Sequence, residues 1–139
     1  MCSSDLTDLW CEPRPVQARL PIWFGGDASL RTARRIAAVG DGWLPVGVTP
    51  DEVLIEGIAN LRTACEEIGR DPAELGVRAG VPVALDASGR VDLAATRSRA
   101  DALGALGVTT VSVALGRFLA GPADVAPFLA DLGAAFAED

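Results

Sequence analysis

Gly25-Gly26, with Asp27 and Ser29 just behind it, is the stretch of this 139-residue chain best suited to hold an anion. Two residues without Cβ atoms let backbone N–H groups approach a phosphate closely. The helix that must follow adds the favourable end of its dipole, and Ser29 adds a hydroxyl. The same pair also serves as a tight strand-to-helix turn chosen for its dihedrals alone, and pattern by itself favours that plainer reading. A second candidate is the loop Pro45, Val46, Gly47, Val48, Thr49, which follows the next apolar run. It has the composition to touch a ligand, or to be an ordinary connection in which Thr49 caps a helix. Arg117 follows the last apolar run and is placed either to face an anion or to sit in solvent.

These groups bind rather than catalyse. The chain has no histidine and no tyrosine, so Ser/His/Asp and Cys/His sets are excluded, and no two carboxylates share a reactive loop. No catalytic residue can be named; a reaction here would draw its chemistry from a bound cofactor or from residues outside this chain. Cys2, Cys11 and Cys65 lack metal-type spacing, so no metal site is expected, and their odd number leaves one unpaired. Gly40-Asp41-Gly42 imitates part of a dinucleotide fingerprint, but it follows a helix and precedes a strand, the reverse of that motif. Asp41 reads as structural and Trp43 as core. Arg31, Arg34 and Arg35 read as the wet face of the first helix.

The elements that must position these residues follow from period and punctuation. Ile22 to Phe24 is a short apolar strand, followed by a helix from about Ala28 to Val39 with Asp27 as its cap and Gly40 as its stop. Gly42 to Val46 is the second strand. Thr49-Pro50-Asp51-Glu52 has the form of a capping box with proline at the first helical position, opening a helix that Gly69 closes. Asp71-Pro72-Ala73-Glu74 repeats that chemistry over one turn. Val77 to Leu85 is a third strand interrupted by Pro82, and Asp86 to Gly89 is a turn. A helix spans about Val91 to Leu106, Val108 to Leu115 is the fourth strand, and Pro122 to Phe136 is the last helix.

The order β-α-β-α-β-α-β-α, with apolar strands between amphipathic helices, indicates a parallel sheet covered by helices. Strictly sequential units put every helix on one face, and strands apolar on both sides would leave the other face bare. The expected fold is therefore α/β: a partial TIM barrel of about four parallel β/α units, since a full barrel needs roughly 250 residues. Ligands of such folds gather at the carboxyl ends of the strands.

Half of the residues are apolar and 22% charged, as in a globular domain. The net charge of −7 argues against nucleic acid or anionic lipid as a partner. No apolar run approaches the roughly 20 residues of a membrane span, and MCSSDLTDLW lacks the regions of a signal peptide. A soluble, cytoplasmic protein acting on a small molecule is expected.

Taken together, Arg14-Pro15-Val16-Gln17, Pro21-Ile22-Trp23-Phe24-Gly25-Gly26, Arg34-Arg35-Ile36-Ala37, Gly40-Asp41-Gly42-Trp43-Leu44-Pro45 and Gly69-Arg70-Asp71-Pro72 closely resemble the luciferase-like monooxygenase superfamily, in its branch of coenzyme F420-dependent oxidoreductases. The likeness is strong from Arg14 to Val77 and loose beyond. It implies a TIM-type barrel binding F420, with FMN as the alternative, and hydride transfer to or from an organic substrate. It places Gly25, Gly26, Asp27 and Ser29 near the cofactor phosphate, which lifts the anion reading above the plain turn. Pro45, Val46, Gly47 and Thr49 fall on the substrate side. In that family the matched motifs lie in the later half of the barrel. Residues 21–139 are therefore expected to be a C-terminal half-barrel, inactive alone, behind an extended segment 1–20 whose residues 1–6 read as a foreign leader. Open strand edges imply a homo-oligomer or a missing N-terminal half. The rival readings are a stand-alone phosphate-binding module and a dimerising half-barrel without catalysis.

Overall fold

The computed structural model describes residues 14–117, 119 and 121–137; Cys2, Cys11 and most of the N-terminal segment lie outside the described residues. Arg14 to Leu20 is exposed and forms neither helix nor strand.

Four strands, β1 (Trp23–Gly25), β2 (Gly42–Leu44), β3 (Gly76–Gly80) and β6 (Thr110–Ser112), form one sheet in the order β1-β2-β3-β6. Every pairing in it is parallel, with Trp23 opposite Gly42, Trp43 opposite Val77, and Ala79 opposite Val111. Between them run helices α1 (Leu30–Val39), α2 (Asp51–Ile68) and α3 (Leu93–Leu106), and α4 (Val125–Phe136) follows β6. Neighbours in sequence are neighbours in the sheet, so the units stand side by side as in the wall of a barrel. The parallel α/β architecture read from the sequence is the one observed.

Local chemistry accounts for the boundaries. Gly69 and Gly107 end α2 and α3 in the left-handed region, at φ +70° and +105°. Asp71 accepts from the Ala73 N–H and opens a single tight turn at Pro72–Glu74. Pro82 ends β3. Beyond it, β4 (Ala84–Leu85) and β5 (Val91–Asp92) form an antiparallel hairpin around the Asp86 turn. That hairpin takes two residues assigned above to the start of a helix. Thr96, fully buried, ties it down, accepting from the Ala84 N–H at 2.9 Å and donating to the Asp92 carbonyl at 2.7 Å.

Two expected caps are corrected. Helix α2 begins after Pro50, whose extended ψ of 148° moves the cap position off Thr49, and no side chain caps it. Helix α1 begins after Ser29 rather than Asp27, again without a side-chain cap. The expectation of a sheet apolar on both faces is also corrected. One face is core: Trp43, Val77 and Ala79 are buried with Ile36 of α1, Leu54, Ile58 and Leu61 of α2, and Leu103 of α3. The other face carries Gly42, Gly76, Gly80, Arg78, Thr110 and Ser112, with Trp23 and Leu44 as its large apolar groups. Trp23 lies across Gly42 and Gly76, where a Cβ would come within 2.6 and 2.4 Å of its ring.

The charged residues around α1 and α2 are scaffolding. Asp41 accepts from Arg19 at 2.5 Å and from the Ile22 N–H at 2.6 Å, fixing the entry to β1. Arg70 donates to the carbonyls of Ala37 and Gly40 at 2.8 Å, satisfying the C-terminal end of α1. Arg34 forms a forked pair with Glu67 across α1 and α2 at 2.7 Å. Arg99 pairs with Asp51 at the start of α2.

The carboxyls of Asp41, Asp51 and Glu67 are held below the ordinary range, first by the hydrogen bond from Arg19, Arg99 or Arg34 respectively. Asp86 is lowered chiefly by the Ser88 hydroxyl. A depressed carboxyl contributes stability that is complete above its unfolded pKa, about 4, and is lost as pH falls through the folded value. With no histidine in the chain, the urea midpoint is expected to stay level from about pH 5.5 to 8 and to fall below about pH 4. A loss of stability between pH 6 and 7 would contradict this.

Candidate functional site

Because the four strands of the main sheet are parallel, their carboxyl ends and following loops lie at one end of it. There the tips of β2, β3 and β6 enclose a cleft of about 700 Å³. Its β2 side is Leu44, Pro45, Val46, Gly47 and Val48; its floor is Arg78, Ala79 and Gly80; Ser112 and Val113 close the far side.

Three of the four residues expected on the substrate side, Pro45, Val46 and Gly47, line this cleft; Thr49 does not. Their loop is pressed onto β3, since a Cβ on Gly80 would lie 2.6 Å from the Gly47 carbonyl oxygen. Gly47 takes φ +71°, a turn that an L side chain strains. Gly80→Ala is therefore expected to push the loop off β3 while the domain stays folded. The Gly47 and Val48 amide resonances would report it, and unchanged resonances would contradict the close approach.

Gly25, Gly26, Asp27 and Ser29 stand one strand away and do not line the cleft. Gly25 pairs with Leu44, which does line it. Gly26 adopts φ +93° with open space where a Cβ would stand, so its backbone needs glycine and its tip is clear. The Ser29 hydroxyl shares a 3.2 Å hydrogen bond with Thr32. No side chain caps α1, so its first-turn N–H groups, beside the glycine turn, have no side-chain partner from the Ser29 cap position.

Two features of the site escape a reading of local pattern. The buried Trp43 indole donates to the Gly26 carbonyl at 2.8 Å, so a core side chain sets the glycine turn. Arg78 sits in an apolar strand yet emerges in the cleft, because Val77 and Ala79 take the helix-covered face. Its alternation between two buried residues was the available signal. Arg117 lies in a short turn after β6. Cys65 is buried in the core, where loss of solvation pushes its thiol up, so it stays protonated at neutral pH. Among the described residues, no helix is long and apolar enough to cross a membrane.

Sequential parallel β/α units with a ligand-sized cleft at their carboxyl ends define an α/β domain built as a barrel wall. Residues 5–103 match the family model of the luciferase-like monooxygenases, and the chain belongs to that family. No curated protein matches it.

Proposed function

We propose that this chain forms the cofactor- and substrate-facing wall of an F420-dependent oxidoreductase, with FMN as the alternative coenzyme. The reaction is hydride transfer between the coenzyme and an organic substrate. The observation that carries this reading is the convergence at one end of the sheet of a clear glycine turn, an uncapped helix start and an apolar cleft. The family match supports the reaction class.

The residues present fit such a coenzyme. Gly25, Gly26 and the N–H groups opening α1 would take its phosphate, with the Ser29 hydroxyl beside them. Pro45, Val46 and Gly47 would flank the substrate, and Thr49, outside the cleft, would end their loop. The bound coenzyme supplies or accepts the hydride. The chain's own groups bind, orient and exclude water, which agrees with the absence of any acid–base set in the sequence.

The outer edges of β1 and β6 are unpaired among the described residues. We infer that strands from a preceding barrel half or from a second copy complete the wall, as the opposing side of the site. Fluorescence titration tests the coenzyme reading: micromolar affinity for F420 or FMN supports it, and equal affinity for inorganic phosphate would reduce the site to a phosphate holder. Sedimentation at micromolar concentration tests the second-copy alternative, which a clean monomer would remove.

A further inference from the structure

We infer that Arg78 is an oxyanion subsite in the cleft, holding a carboxylate or phosphate on the otherwise apolar organic substrate. The inference rests on the oxidoreductase reading and names the substrate class for it.

Three observations lead there. Among the described residues, Arg78 is the one charged residue lining the cleft, in a chain of net charge −7. The abundant carboxylates are kept out of this space. It also has no hydrogen-bond or ion-pair partner among the described residues. Arg19, Arg34, Arg70, Arg90 and Arg99 each hold a carboxylate and Arg97 holds backbone carbonyls, while Arg31, Arg35 and Arg62, which like Arg78 have no such bond, stand on helices outside the cleft. Finally, Arg78 stands on a strand rather than a mobile loop, between β2 and β6, with Thr110 beside it in register.

The surroundings decide the ligand. Leu44, Val46, Val81 and Val113 make the walls apolar, while Arg78 itself is exposed on the open face of the sheet and so accessible to a ligand. Ser112 offers a hydroxyl whose present bond to the Ala79 carbonyl is long, at 3.5 Å. A planar guanidinium matches a carboxylate or phosphate through two parallel N–H bonds. The glycine turn at Gly25–Gly26 lies outside the cleft, so a coenzyme phosphate there and a substrate oxyanion at Arg78 occupy separate places.

The test uses the full chain and benzoate, an apolar body with one carboxylate. Binding is followed by the Arg78 Nε–H and the Val81 and Ser112 amide resonances, with coenzyme affinity measured in parallel by fluorescence. Benzoate is expected to bind saturably, to weaken about tenfold or more in Arg78→Gln, and to recover in part in Arg78→Lys. Coenzyme affinity and thermal midpoint should stay unchanged in both variants. Equal benzoate binding by Arg78→Gln, or none by the wild type, overturns the subsite. A tenfold loss of coenzyme affinity in Arg78→Gln also overturns it, by assigning the guanidinium to the coenzyme. If the wild type binds neither F420 nor FMN, the oxidoreductase reading falls, while the benzoate series still decides the subsite.

Discussion

Trp43→Ala is expected to cost about 3–5 kcal/mol of stability, the range for emptying a large buried aromatic site. Trp43 is fully buried at the junction of β2 with α1 and α2. Two losses combine there. The cavity removes the ring that packs over Gly57, and the Gly26 carbonyl loses its indole donor. Trp43→Phe is the milder variant. It keeps much of the apolar volume but removes the indole donor and the outer ring edge over Gly57, at about 1–3 kcal/mol. In that variant the loss should appear as faster amide exchange around Gly26 to Leu30, with the rest of the sheet protected. Urea denaturation gives the first number and amide exchange the second. A Trp43→Ala protein within 1 kcal/mol of wild type would mean that the indole does not fill the core.

Gly57→Ala is expected to destabilise by about 1–3 kcal/mol, against the direction of helix propensity. At a solvated position in the middle of α2 the exchange would gain about 1 kcal/mol. Here an added Cβ would lie 2.4 and 2.7 Å from the Trp43 ring, and 3.2 Å from the Ala28 Cβ. The ring is fixed on all sides, so the helix must move away from the sheet, and overpacking dominates. Far-ultraviolet circular dichroism should show unchanged helix content with a lower urea midpoint. A raised midpoint would show that α2 does not seat against Trp43. The double variant Gly57→Ala/Trp43→Phe should recover part of the loss, since the atoms nearest the added Cβ are Cη2 and Cζ3 of the outer indole ring, which phenylalanine lacks.

These effects mark where the sequence stops being legible. The repeat of strand and helix could be read because glycines and prolines punctuate it: Gly40, Gly69 and Gly107 end helices, and Pro82 ends β3. The caps were misplaced because Thr49-Pro50 carries the local signature of a capping box, while the extended backbone of Pro50 moves the helix start by one residue. The β4–β5 hairpin was hidden because its strands are two residues long and Val91-Asp92 reads equally as a helix entrance. Nothing in the local pattern sets Gly42, Gly57 and Gly76 apart. Their need for no Cβ comes from Trp23 and Trp43, which reach them through the tertiary fold.

The site was legible as loops and not as a surface. Gly25-Gly26 and Pro45 to Thr49 stand out because each follows an apolar strand. Arg78 does not, because its meaning depends on which face of β3 the helices cover. Gly26 is required by its φ of +93° whether or not an anion binds, so its replacement alone cannot distinguish a turn from a phosphate site.

The central claim is that the strand tips of this sheet converge on one coenzyme site. Backbone amide shift mapping on addition of F420, or of FMN, tests it most directly. The account expects perturbations confined to one end of the sheet: Gly25 to Leu30, Gly47 and Val48, Val81, and Ser112. Perturbations at the opposite end, around Asp41, Gly76 and Thr109, or none at saturating coenzyme, would contradict it.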